Sequence, residues 1–213
     1  MIEGNLDLFK PAEISVGNVN VNMDFEDYYS LKSLQNRVLK YNTDIDEGPV
    51  AAFVDTVIKI NLHDKGLAKE DRIPIKLFMS SDGGDVMAGF AMIDVIQNSE
   101  TPIIIINTSH QYSMAAIIGL VGHKRYATPN SSFLLHDGSR YIGDSTGKLH
   151  DFLKFDAQIG ERIKKIVLNN SKISAKTYNK RAREEWYFFA DEAKSLGMID
   201  GIIGEDVTLE EII

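Results

Sequence analysis

The sequence predicts an α/β domain built on parallel strands, and three observations predict it. Short β-prone runs alternate with helical stretches from Asn36 onward, the order expected of a sheet whose strands are joined by helices. The run 102–107, PIIIIN, is apolar at successive positions, as strands covered on both faces are. A chain of 213 residues, 44% of them hydrophobic, is long enough to bury such a core in one domain, or in one domain with a small appendage.

The elements follow in order. The first thirty or so residues are polar, rich in Asn, Asp and Glu, and lack sustained periodicity, so 1–30 reads as an arm and 31–213 as the folded domain. GPVAAFVDTVIKINL (48–62) reads as a helix with Pro49 in its first turn, where a missing N–H costs little. IPIKLFMS (73–80) reads as a buried strand, SDGGD as a turn, and VMAGFAMIDVIQN (86–98) as a helix in which Val86, Phe90, Ile93 and Ile96 keep helical spacing. After the strand 102–107, Ser113 opens the apolar stretch SMAAIIGLV, and the strands KRYAT and SSFLLH flank a turn at Pro129 and Asn130. Beyond the loop DGSRYIGDSTG, an amphipathic helix is expected over about 148–170. There Leu149, Phe152, Phe155, Ile159, Ile163 and Ile166 recur every three or four residues. That helix is long enough to leave the body of a small domain. A shorter helix, the aromatic stretch REEWYFF and the unit ADEAKSLGMIDGII complete the chain, with no internal repeat, low-complexity tract or dividing linker.

Charge and composition exclude several functions. Acidic residues outnumber basic ones 31 to 23, and no Lys/Arg cluster forms a phosphate-binding stripe, so nucleic acid is not an expected partner. With no cysteine, disulfides, zinc–thiolate sites and thiol chemistry are excluded, which suits a reducing compartment. The opening MIEGNLDLFKPAE lacks the charged and apolar regions of a signal peptide, and no apolar run approaches the roughly 20 residues of a membrane span. A cytoplasmic protein without membrane contact is expected.

Ser113 has two readings. Serine is a favoured helix cap, and strand-to-helix junctions need one. It is also a nucleophile once a base takes its proton, and neutral imidazole suits that task near pH 7. Of five histidines, His63 and His150 fall on polar helix faces and read as solvated, while His110 and His123 lie in or near loops and stay open. His136 ends a buried strand and precedes the Asp137-Gly138 turn, so its ring emerges at a sheet edge, where sites gather; a solvated strand end is the alternative. The glycines of SDGGD can present backbone N–H groups to an anion, as any tight turn also can. The N–H groups of Ser113 and Met114 stand at a helix start. The two sources face each other if the strands before them are neighbours.

Taken together, SSDGGDVMAGFAMIDVIQ, then SMAA, then KRYATPNSSFLLH, then YFFADEAKSLGMIDGI resemble in content and order the ClpP family, the proteolytic subunits of the ATP-dependent Clp serine protease. The likeness covers roughly 37–203. It implies the ClpP/crotonase-like superfold, with parallel strands, covering helices and a protruding handle helix through which two heptameric rings meet. It also implies Ser113 as nucleophile, His136 as base, and the backbone N–H groups of Gly84 and Met114 as the oxyanion hole, with no metal or cofactor.

The chain departs from the family pattern at three places. The usual Ser-Pro-Gly-Gly turn is Ser81-Asp82-Gly83-Gly84, without the proline. The usually small residues before the nucleophile are Ser109-His110-Gln111-Tyr112. Counting back from Ala190-Asp191-Glu192-Ala193, the family's aspartate position falls on Glu185. A glutamate there reaches about 1.5 Å further and can still orient a histidine. Glu184 and Glu185 point to opposite faces of an extended segment, so one of them reaches His136; Glu185 is expected to, with Tyr187 on its face shielding the contact, and Glu184 to face solvent.

The expected function is therefore that of a serine endopeptidase subunit. The resemblance implies a homo-oligomeric tetradecamer of two rings that cleaves unfolded polypeptides fed by a hexameric AAA+ unfoldase. Two other readings stand beside it. One is a ring subunit kept for assembly or docking that no longer cleaves, motivated by the 109–112 stretch and Glu185. The other is a crotonase-type acyl-CoA enzyme, against which the contexts of Ser113 and His136 count.

Overall fold

A computed structural model describes residues 13–16, 19–22, 25–138 and 146–213. Much of the expected arm, and 139–145 of the expected loop, lie outside them. The chain divides into two compact units, Met1–Leu39 and Lys40–Ile213. In the first, β1 (Glu13–Val16) and β2 (Val19–Asn22) pair antiparallel, and α1 (Phe25–Gln35) follows. In sequence these segments read as part of a polar arm without sustained periodicity, and the hairpin is a feature of the structure.

The second unit opens in β3 (Val38–Tyr41) and alternates thereafter as the sequence predicts: α2 (Glu47–His63), β4 (Ile75–Ser81), α3 (Val86–Asn98), β5 (Ile103–Tyr112) and α4 (Met114–Gly119). Then come β6 (Lys124–Ala127), β7 (Ser132–Leu135), α5 (Thr146–Asn170), α6 (Ala175–Arg181), β8 (Trp186–Phe189), α7 (Ala190–Ser195), β9 (Gly201–Ile202) and α8 (Leu209–Ile212). The sheet runs in the order β3-β4-β5-β6-β9, with β4, β5, β6 and β9 parallel. Ile75, Leu77, Met79, Ile103, Ile105 and Ile106 are at most 1% exposed, so both faces of the central strands are covered. The unbroken apolar run is that of β5, since Lys76, 7% exposed, interrupts β4; each buried apolar side chain contributes about 1.5–3 kcal/mol.

The helices that cover the sheet are held at their starts. Pro49 sits in the first turn of α2, whose Val50, Phe53 and Val57 turn inward. Asp85 caps α3 by accepting from the Ala88 N–H at 2.7 Å. In α3 the core face is Gly89, Met92, Ile93 and Ile96, while Phe90 is only half-buried.

The strand before Ser113 is longer than predicted. β5 runs on through Tyr112 and forks: Ile104–Asn107 pairs with β6, and His110–Tyr112 pairs with β7. Buried Asn107 holds the fork open. Its Nδ2 donates to the Ser132 carbonyl at 3.0 Å, and its Oδ1 accepts from the Ser109 N–H at 3.0 Å. Polar Thr108, Ser109 and His110 hide this extension from an apolar pattern. On its other side, β7 pairs antiparallel with β8, in contrast to the parallel pairings of β4, β5, β6, β7 and β9. Buried Trp186 and Phe188 alternate there with Tyr187 and Phe189, which are 57% and 60% exposed. The Phe133 and Phe188 rings stack with their centroids 5.7 Å apart.

The helix expected at 148–170 spans Thr146–Asn170. Its second half rests on the domain through Ile159 and Val167, whereas Phe152, Leu153 and Phe155 are 36%, 54% and 49% exposed. Among the described residues, no helix is long and apolar enough to cross a membrane.

Candidate active site

Ser113 does not cap α4. Its backbone has φ 53° and ψ −122°, not the extended angles of a cap, and its hydroxyl makes no capping bond. A non-glycine residue at such positive φ is strained, and Ser113 is half-buried. The Ser113 N–H donates to the Leu134 carbonyl at 2.9 Å, which ties the serine to the strand that ends just before His136.

The turn after β4 meets this one because β4 and β5 are neighbours, with Ser81 paired to Gln111 across a bulge. Gly83 and Gly84 have φ of 100° and 146°, angles that favour glycine. A Cβ on Gly83 would stand 2.8 Å from Ser113 Cβ and 3.0 Å from the Met114 nitrogen, and one on Gly84 would strike the Ile45 carbonyl. Ile45 clamps the turn from the far side, donating to the Gly83 carbonyl at 2.8 Å and accepting from the Asp85 N–H at 2.7 Å. Among the described residues, the Gly84 and Met114 N–H groups donate to no protein acceptor.

His136 follows β7 directly. Its Nδ1 lies 2.9 Å from Glu185 Oε1, with the ring 20% and the carboxylate 60% exposed. Glu184, in the turn before β8, instead faces Arg181 at 3.2 Å. The two glutamates thus have different partners, and they precede the strand rather than lying in it. Tyr187 stands close enough that desolvation, and then the Glu185 carboxylate, raise its phenol above its ordinary pKa. It does not seal the contact, since the carboxylate remains largely open to water.

Ser113, His136, Gly84 and Met114 line one cleft of about 320 Å³, whose apolar wall includes Val86, Ile117 and Ile163 of α5. Among the described residues, no hydrogen bond joins Ser113 Oγ to His136 Nε2. Such bonds often tighten only in the complex with substrate. His123 is kept out of the chemistry, accepting at Nδ1 from the Ile103 N–H at 3.1 Å. His63 and His150 are exposed.

The profile of the Clp protease family matches residues 24–206. The chain belongs to the Clp protease family. A protein described as ATP-dependent Clp protease proteolytic subunit 1, from Streptomyces avermitilis, is 26% identical over 184 residues, covering 84% of this chain and 81% of that protein. A Chlamydia abortus protein of the same description is 33% identical over 135 residues, covering 61% and 70%. The solved structure of a ClpP1 point mutant from Listeria monocytogenes superposes with a TM-score of 0.73 over 87% of this chain and 99% of that one. At 19% identity that likeness concerns the fold, which is the ClpP/crotonase-like one.

Within this Clp protease fold, the sequence left three neighbours of the site unassigned. Asp82 and Asp137 line the cleft, and His110 stands 3.3 Å from Asp82. Strand parity was the available signal for His110, since residues 110 and 112 share a face once the strand is known to reach Tyr112.

Proposed function

We propose that this chain is the serine endopeptidase subunit of a self-compartmentalising Clp-type protease. The observation that carries the proposal is the convergence of Glu185, His136 and strained Ser113 beside the two free N–H groups of Gly84 and Met114. In the proposed reaction, Ser113 Oγ attacks the peptide carbonyl while His136 Nε2 takes its proton and returns it to the leaving amine. Water then repeats the sequence on the acyl-enzyme. Glu185 holds the Nδ1–H tautomer and stabilises the imidazolium formed during attack. Gly84 and Met114 donate to the oxyanion, a term worth about 10²–10³ in rate per donor in such sites. The reaction needs no metal or cofactor.

The exposed Phe152, Leu153 and Phe155 of α5 support assembly into homo-oligomeric heptameric rings stacked as a tetradecamer. Substrates are unfolded polypeptides delivered by a hexameric AAA+ unfoldase in the cytoplasm, with 1–30 as a polar arm and 31–213 as the peptidase domain. The departures at 109–112 and Glu185 favour a second reading, a ring subunit for assembly or docking that does not cleave. Cleavage of a fluorogenic peptide and fluorophosphonate labelling, wild type beside Ser113→Ala, separate the two. Turnover and labelling that vanish in Ser113→Ala support the peptidase; an assembled wild type that neither cleaves nor labels refutes it.

A further inference from the structure

A second line of side chains runs beside the Ser113–His136–Glu185 group. His110 and Tyr112 share a face of β5, with ring centroids 4.9 Å apart. His110 Nε2 lies 3.3 Å from Asp82 Oδ1. Its Nδ1 lies 3.2 Å from Ser80 Oγ and 3.1 Å from Ser109 Oγ. Tyr112 Oη meets Ser132 Oγ at 2.8 Å, and its ring meets Tyr187 edge-on at 5.6 Å. These contacts join the turn that carries Gly84, the strand that ends at Ser113, and the strand that follows Glu185.

The partners of His110 differ in kind. Nδ1 has the Ser80 and Ser109 hydroxyls within hydrogen-bond reach, whereas Nε2 and Asp82 meet as a close polar contact without hydrogen-bond alignment. The mechanical need lies in the turn. Two consecutive glycines at positive φ give the 81–84 segment wide conformational freedom, with no proline to limit it. Ile45 holds it on one side, and within the turn the Gly83 N–H donates to Ser81 Oγ at 3.1 Å. An oxyanion donor works only while aimed at the developing charge, and small misplacements cost large factors in rate.

We infer that Asp82 and His110 are positioning residues for the oxyanion hole: the pair ties the Gly84 turn to the strand bearing Ser113, and Tyr112 buttresses the His110 ring. The inference rests on the peptidase reading of this site. It assigns the pair no contact with substrate and no proton transfer. His110 and Asp82 act through the aim of the Gly84 N–H relative to that of Met114.

The test is peptide turnover by the full-length protein carrying Asp82→Ala, His110→Ala, both together, or His110→Gln. It is read beside affinity for a peptide boronate, which forms the tetrahedral adduct, and for an uncleaved product peptide. Each alanine variant should lose about tenfold in kcat and in boronate affinity, with KM and product affinity unchanged. The double variant should be no worse than either single one. His110→Gln keeps a polar side chain beside Asp82 and should return to within about threefold of wild type. Wild-type kcat in either single variant overturns the inference, as does a double loss equal to the product of the two. A fall in product affinity with kcat unchanged also overturns it, by making the pair a substrate contact. A wild type without turnover or boronate binding refutes the peptidase reading itself, and the inference with it.

Discussion

Glu185→Gln tests the candidate acid with the least disturbance of shape. Across the 2.9 Å between His136 Nδ1 and Glu185 Oε1, Coulomb's law gives about 1.4 kcal/mol at a dielectric constant near 80 and about 6 kcal/mol near 20. The carboxylate is 60% exposed, which places the pair toward the aqueous end, about 1.5–3 kcal/mol. Because the imidazolium exists only during attack, the loss falls on kcat and amounts to about 10- to 150-fold. Rotation of the amide to donate to Nδ1 adds to the loss, because it favours the tautomer protonated at Nε2, which cannot accept the Ser113 proton. Glu185→Asp withdraws the carboxylate by about 1.5 Å, beyond hydrogen-bond range of Nδ1, and should fall with the glutamine variant. Glu184→Gln, whose ion-pair partner is Arg181, should stay within about twofold, as exposed ion pairs usually do. The assay is cleavage of a small fluorogenic peptide by assembled protein, which isolates chemistry from substrate delivery. A Glu185→Gln variant as fast as wild type refutes the reasoning.

Three further outcomes are expected. Ser113→Gly should melt higher than Ser113→Ala by the equivalent of about 1 kcal/mol, because glycine relieves the φ of 53° that alanine keeps; equal melting temperatures would show that the turn is unstrained. Phe155→Asp, exposed on the protruding half of α5, should reduce the assembled mass in light scattering while leaving the far-UV spectrum intact; Ile159→Asp should destabilise the protomer itself, since Ile159 is 7% exposed, and an unchanged mass for Phe155→Asp would remove α5 from the interface. Burial first, and then the charge of Lys69, hold His123 below its ordinary pKa, so the unfolded chain binds the proton more readily. His123 therefore contributes stability that is present above about pH 6.5 and lost as pH falls toward its folded value. Denaturant titrations between about pH 7.5 and 5 should show a shallower pH dependence in His123→Gln, and an identical slope would contradict this.

What the sequence determined by itself was whatever repeats locally. The unbroken apolar run after Pro102 and the spacing through 86–98 and 148–170 encode strand and helix directly, since burial on two faces or one is written in periods of a few residues. The ordered motifs likewise led to the Clp protease family and to Ser113, His136 and Glu185 as residues to bring together. Three things were decided only by the tertiary structure. One is the fork of β5, where polar Thr108, Ser109 and His110 stay in the strand because two different neighbours, β6 and β7, take its hydrogen bonds in turn. Another is the use of Ser113, whose cap-like place in the sequence is overridden when pairing with Leu134 holds its backbone at positive φ. The last is the Asp82–His110 contact, between residues 28 positions apart, for neighbouring strands set such meetings by register, and a register is a property of two segments that neither carries alone.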